Sequence, residues 1–130
     1  MGEEVFVVGN IPMLGSWKAP TALLMLTSKE NYPRWTSSKA VVIEEDHLVN
    51  GISCRIAEGN QPEKEMVVKE IEYKYFVKNM KGDIFWERGT INRRIPLSKI
   101  KHHFRPGTQL TIVDQGFNMT EVESQIVPKQ

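Results

Sequence analysis

The sequence predicts an all-β domain built as an antiparallel β-sandwich, and three observations carry that prediction. Residues Glu70-Ile-Glu-Tyr-Lys-Tyr-Phe-Val-Lys78 set Ile71, Tyr73, Tyr75 and Val77 against Glu70, Glu72, Lys74, Phe76 and Lys78, the two-residue period of a strand. Val5-Phe-Val-Val8 is a continuous β-branched and aromatic run, which reads as a strand covered on both faces. Gly, Pro and Asn recur between such runs, and no segment keeps an apolar 3.6-residue period over three turns.

The elements follow in order. Residues 4–8 (EVFVV) form the first expected strand, and Gly9, Asn10, Pro12 and Gly15 then turn the chain toward Trp17. A strand is expected over 35–43 (WTSSKAVVI), ending at Glu44-Glu45-Asp46. Residues 44–68 are polar and turn-rich, with an apolar patch at Ile52-Ser-Cys-Arg-Ile56, and read as a long inserted loop carrying at most a small extra strand. After the strand at 70–78, Asn79-Met-Lys-Gly-Asp83 reads as a hairpin turn and Asp83-Ile-Phe-Trp86 as the returning strand. Gln109-Leu-Thr-Ile-Val113 is the last expected strand, so residues 1–117 form the domain and 118–130 a tail or linker.

At 130 residues the chain has the length of one domain with a real core. Seventeen basic and sixteen acidic residues leave a net charge of +1, which offers no electrostatic case for nucleic acid or an anionic membrane. No apolar run reaches the ~18 residues of a membrane span. Cys54 is the single cysteine, so no intramolecular disulfide forms, and the start MGEEVFVVGN lacks a signal-peptide layout; a cytoplasmic location is expected.

No enzyme signature is present. Cys54 lies in the inserted stretch with no base marked beside it, and no glycine elbow surrounds a serine. Glu44, Glu45 and Asp46 read as a solvated acidic turn. His102-His103, placed on a strand, would face opposite sides, and no further ligand stands at a metal spacing. No Gly-rich phosphate cradle precedes a helix, so neither a metal nor a cofactor is expected. The aromatics say more. Trp35, Tyr73 and Tyr75 read as core. Trp17 and Trp86 both stand where a strand gives way to a loop, with Lys74 on an outward strand face. Such rings either cap the core or form an exposed platform edged by hydrogen-bonding groups.

Val5-Phe-Val-Val-Gly-Asn10, Leu14-Gly-Ser-Trp17, Tyr32-Pro-Arg-Trp35, Ile71-Glu-Tyr-Lys-Tyr-Phe76 and Trp86-Glu87 followed by Asn92-Arg93 occur in this order, over residues 3–43 and 69–114. Together they resemble the starch-binding domain, the family-20 carbohydrate-binding module. The resemblance implies an immunoglobulin-like, open-sided barrel that binds α-1,4-glucan without catalysis and is often joined to a catalytic domain. It implies a first glucan site at Trp17, Lys74, Trp86, Glu87 and Asn92, although Asn92 lies six residues after the tryptophan where the family commonly has five. It implies a second site at Tyr32 and Trp35, with Trp35 mainly structural and taking an occasional part in that site. The family's first strand has no counterpart ahead of VFVV, which leaves an unpaired edge or a replacement from 44–68. The competing expectation is a regulatory or docking domain of a phosphodiesterase or phosphatase that has lost most glucan binding.

Overall fold

The strand at 70–78 forms as its alternation predicts and organises the rest. In the computed structural model, which describes residues 3–30, 32, 34–56, 60, 62, 64–88, 92–103, 105, 107, 109–114 and 125–128, β6 is Glu70–Lys78. It pairs antiparallel with β1 (Glu4–Gly9) over six positions, from Glu4 opposite Lys78 to Gly9 opposite Tyr73. Beyond β1 lie β2 (Leu23–Leu26) and the two-residue β3 (Thr36–Ser37). On its other edge β6 pairs with β7 (Ile84–Trp86) and, further along, with β8 (Arg93–Pro96).

One face of this six-stranded sheet packs on a second layer. That layer holds a short helix α1 (Glu45–Asn50), a hairpin of β4 (Ile52–Ile56) and β5 (Lys64–Val68), a helix α2 (Leu97–His103), and a hairpin of β9 (Leu110–Val113) and β10 (Gln125–Pro128). Val7, Ile71, Tyr73 and Ile95 of the sheet meet Leu48, Ile52, Cys54, Leu97 and Ile100, with Leu110, Ile112 and Ile126 against them. The result is an antiparallel, open-sided β-sandwich, as predicted. Val8 is fully buried on the opposite face, so the VFVV run is covered on both sides at its Gly9 end.

Several expectations need correction. Residues 44–68 are not a loop: α1 and the β4–β5 hairpin occupy most of the stretch and supply Leu48, Ile52 and Cys54 to the core. Glu45 and Asp46 stand in the first turn of α1, where the helix dipole favours acidic side chains, and Glu44 N–H donates to His47 Nδ1 at 3.0 Å. The hairpin does not replace a missing strand of the main sheet, because β1 already has β2 and β6 on its two sides. The strand expected over 35–43 shrinks to β3, whose one neighbour is β2; Val41 and Ile43 still pack on the core from irregular backbone. His102 and His103 end a helix rather than lying on a strand, their rings edge to face at 5.3 Å, and join Lys101 near the negative end of the α2 dipole. The expected tail contains β10, and Ile126 packs on the core; residues 118–124 lie outside the described residues.

β1 ends against β6 at close quarters. Asn10 continues the ladder with its amide, donating from Nδ2 to Glu70 O and accepting from Glu72 N–H at Oδ1, both at 3.0 Å. A Cβ on Gly9 would overlap the Glu72 carbonyl and crowd Leu14 Cδ1 and Tyr73 Cβ. Gly9→Ala is therefore expected to destabilise the fold by about 1–3 kcal/mol in urea titration.

Candidate functional site

The face of β6 turned away from the core carries Glu72, Lys74, Phe76 and Lys78. Phe76 lies between Phe6 of β1 and Trp86 of β7, and Trp86 is 44% exposed. Lys74 is the next residue on this face, opposite Val8 and half-buried. Asn92 precedes Arg93, whose partner is Tyr73; extending that register by one residue places Asn92 opposite Lys74. The six-residue spacing from Trp86 to Asn92 thus falls between two strands that both pair with β6.

Trp17 reaches the Gly9 end of the sheet by another route. Ile11 and Leu14 are buried and pin the loop that follows β1. The chain then passes through three successive left-handed residues: Gly15 at φ 82°, Ser16 at φ 50° and Trp17 at φ 64°. Lys18 N–H donates to Gly15 O at 2.9 Å, and the Thr21 hydroxyl lies 2.8 Å from Gly15 O and 2.9 Å from Lys18 O, which holds the turn. A bulky residue in this region costs on the order of 1–2 kcal/mol. The turn leaves the indole 39% exposed. By register Lys74 and Asn92 lie next to the Gly9 end, whereas Trp86 stands level with Phe6 and Leu24 in mid-sheet.

Glu87 does not join them. As the residue after Trp86 it turns to the opposite face, where it is 3% exposed. Its carboxylate takes Arg93 Nη2–H at 2.6 Å and Nε–H at 3.1 Å, a bidentate pair, and accepts Tyr75 N–H at 2.9 Å. The expectation that Glu87 selects sugar hydroxyls is corrected on this ground: the group is buried and committed to Arg93. The same network includes Asp114, which accepts from the Tyr73 hydroxyl at 2.9 Å and the Tyr75 hydroxyl at 2.6 Å and lies 3.4 Å from Arg93 Nη1. Arg93 also sits over the Tyr75 ring at 5.1 Å. Burial opposes the Arg93 charge, yet the bonds to Glu87 and the nearby carboxylates outweigh it and raise its pKa. Burial, then Asp114, push the Tyr75 hydroxyl far above its ordinary value. Asp114 was missed from the sequence, where nothing beyond its place after an apolar strand marks it.

Tyr32 and Trp35 lie elsewhere. Both belong to the connection from β2 to β3, which leaves the sheet at Leu26, beyond the Val5–Met25 pair and at the end opposite Gly9. Tyr32 is 63% exposed, its N–H donating to Ser28 O at 2.8 Å, whereas Trp35 is half-buried. The structure thus sets Tyr32 and Trp35 beyond the Leu26 end, away from Lys74 and Asn92, with Trp86 between the two levels.

Residues 1–50 match the family model described as "Starch binding domain". Lys74, Trp86 and Asn92 lie beyond the matched residues of the starch-binding domain model. Over 41 residues the chain is 46% identical to a glucan 1,4-alpha-maltotetraohydrolase of Stutzerimonas stutzeri and 42% identical to one of Roseateles saccharophilus. Each alignment covers 32% of this chain and 7% of the relative, so the chain corresponds to a small part of those proteins. A solved structure of the gamma-CGTase of Alkalophilic bacillus clarkii superposes over 73% of this chain and 11% of its own, with a TM-score of 0.45 and 22% identity.

Two predictions follow from this geometry. At Trp17, alanine retains the left-handed strain and glycine removes it, so Trp17→Gly is expected to be more stable than Trp17→Ala by about 0.5–1 kcal/mol in thermal melts. The second concerns alkali. An unfolded chain ionises Cys54 near 9.0 and Tyr75 near 10.0, whereas burial in the folded chain raises both. The folded state then binds more protons, so stability is intact below about pH 9 and falls as pH rises, by up to about 1.4 kcal/mol per pH unit per group. Tyr75→Phe is expected to flatten the part of that decline above pH 10.

Proposed function

We propose that this chain is a non-catalytic module that binds α-1,4-glucan, such as starch, glycogen or maltooligosaccharides, at Trp17, Lys74, Trp86 and Asn92. The observation that carries the reading is a pair of tryptophans left 39% and 44% exposed, one on the strained turn that follows β1 and one on β7 of the same sheet. The starch-binding segment at residues 1–50 supports it.

A pyranose presents a face rich in C–H groups and a rim of hydroxyls. An indole covers that face and removes apolar area from water at ~25 cal/mol per Å². An α-1,4-linked chain curves, so two rings inclined to each other meet successive glucoses, whereas a flat β-1,4-linked chain meets one. The Lys74 ammonium and the Asn92 amide then engage hydroxyls at the rim, each neutral bond contributing a net ~0.5–1.5 kcal/mol and a charged one about 1.5–3. Much of this bonding replaces water, so affinity per site is on the order of 10–1000 μM, about −4 to −7 kcal/mol.

Tyr32 forms a second, weaker contact at the other end of the sheet, 63% exposed and without a second exposed ring in its loop. A granule or branched polymer engaging both ends gains retention through effective concentration rather than tighter contacts. Such a module carries an attached catalytic domain to its polysaccharide, as the match to short segments of two amylolytic enzymes supports.

Titration with maltoheptaose, followed by tryptophan fluorescence, is expected to saturate in the micromolar to millimolar range. Trp17→Ala and Trp86→Ala each weaken binding roughly tenfold or more, and Lys74→Ala about threefold to tenfold. A wild-type chain silent to millimolar sugar sinks the glucan reading and favours the docking role.

A further inference from the structure

Phe76 breaks the pattern of its strand. It points away from the core, beside Lys74 and Lys78, yet it is 1% exposed and among the most buried side chains in the molecule. Two rings account for this. Phe6 stacks on one side, with centroids 5.1 Å apart and planes 15° apart, and Trp86 leans on the other at 4.8 Å and 47°. The three rings form one row across β1, β6 and β7, each directly opposite the next in the register.

For Trp86 this contact matters more than it does for the others. β7 has three residues and, among the described residues, pairs at this point with β6 alone. Among the described residues the one aromatic ring that Trp86 touches is Phe76. Ile84, the next side chain of β7 on this face, is itself 40% exposed and offers little confinement. An indole at a sheet edge turns freely about its side-chain bonds unless something fixes its plane, and a plane fixed before the ligand arrives saves the ordering cost at binding.

We propose that Phe76 is a positioning residue for glucan recognition: it sets the tilt of the Trp86 indole and thereby favours rigid, curved α-glucans over flexible ones. The inference rests on the glucan-binding reading above. A closed ring of glucoses cannot adapt to a mobile indole and depends on the preset tilt. A linear oligosaccharide adjusts its own torsions and depends on it less. Phe76 touches no sugar in this scheme, because the indole and the sheet cover it.

The test compares wild type, Phe76→Leu and Phe76→Met as full chains. Calorimetry with β-cyclodextrin and maltoheptaose reads the affinity ratio, and fluorine NMR of fluorotryptophan-labelled protein reads the three indoles, that of Trp86 assigned through Trp86→Phe. The expected result is a loss of β-cyclodextrin affinity of roughly 2- to 12-fold, with a smaller loss for maltoheptaose. The Trp86 resonance is expected to move while those of Trp17 and Trp35 stay in place. A folded variant with an unchanged affinity ratio and an unmoved Trp86 resonance overturns the inference and leaves the glucan reading standing. Should Phe76→Leu unfold, Phe76→Met, closer in volume and flexible, carries the same two readings. Failure of wild type to bind either sugar overturns the glucan reading first and the selectivity claim with it.

Discussion

The six-position pairing of β1 with β6 sets where nearly every side chain discussed above can go. Its register puts Val7 and Tyr73 into the core while Phe6, Val8, Lys74 and Phe76 go to the other face. A slip of one residue exchanges the two sets, so the buried faces themselves lock the register. The Asn10 amide, bonded to β6 backbone at two points, and the tight seat of Gly9 close the same end of the ladder. Lys74 and Trp86 take their places from β6, and the loop bearing Trp17 starts from the residue after Asn10. The proposed binding surface is therefore an outcome of the pairing rather than an addition to it.

Under the sheet, the polar group of Glu87, Arg93, Asp114, Tyr73 and Tyr75 joins β6, β7, β8 and the end of β9. Taking these charges out of water is costly, and the pair of Glu87 with Arg93 recovers that cost through bidentate geometry and the Tyr75 amide. Removal of one partner leaves a buried charge uncompensated, a penalty of about 3–5 kcal/mol. Such a network contributes less to net stability than to specifying one arrangement: an apolar substitute leaves β7 and β8 free to choose other partners.

The elements legible in the sequence were those whose period was long enough to count. The nine-residue alternation of β6, the VFVV strand, the Asn79–Asp83 turn and β9 all form within a residue or two of expectation. α1 and α2 escaped because six and seven residues complete under two turns, each offering one or two buried positions. β2 (LLML) and β8 (RRIP) were not read as strands, since four residues without alternation carry little pattern. On the candidate surface, the exposure of Trp17 and Trp86 and the outward face of Lys74 agree with the reading made from the residues. Glu87 was misplaced because the resemblance passed over the strand parity that turns it away from Trp86. Asp114 was out of reach, since its partners lie 39 and 41 residues away along the chain.

The adjacency of Trp86 and Glu87 has an evolutionary consequence. Neighbouring residues of a strand serve opposite faces, so this dipeptide hangs an exposed ring on one side and a buried counter-ion on the other. One residue inserted or lost within 84–87 swaps the two, delivering an indole to the ion-pair cavity and a carboxylate to solvent. Length can vary without that exchange in the connections on either side, at Asn79–Asp83 or between Glu87 and Arg93. The six-residue spacing from Trp86 to Asn92 spans the second of these, so a difference in length there leaves both the fold and the ring in place.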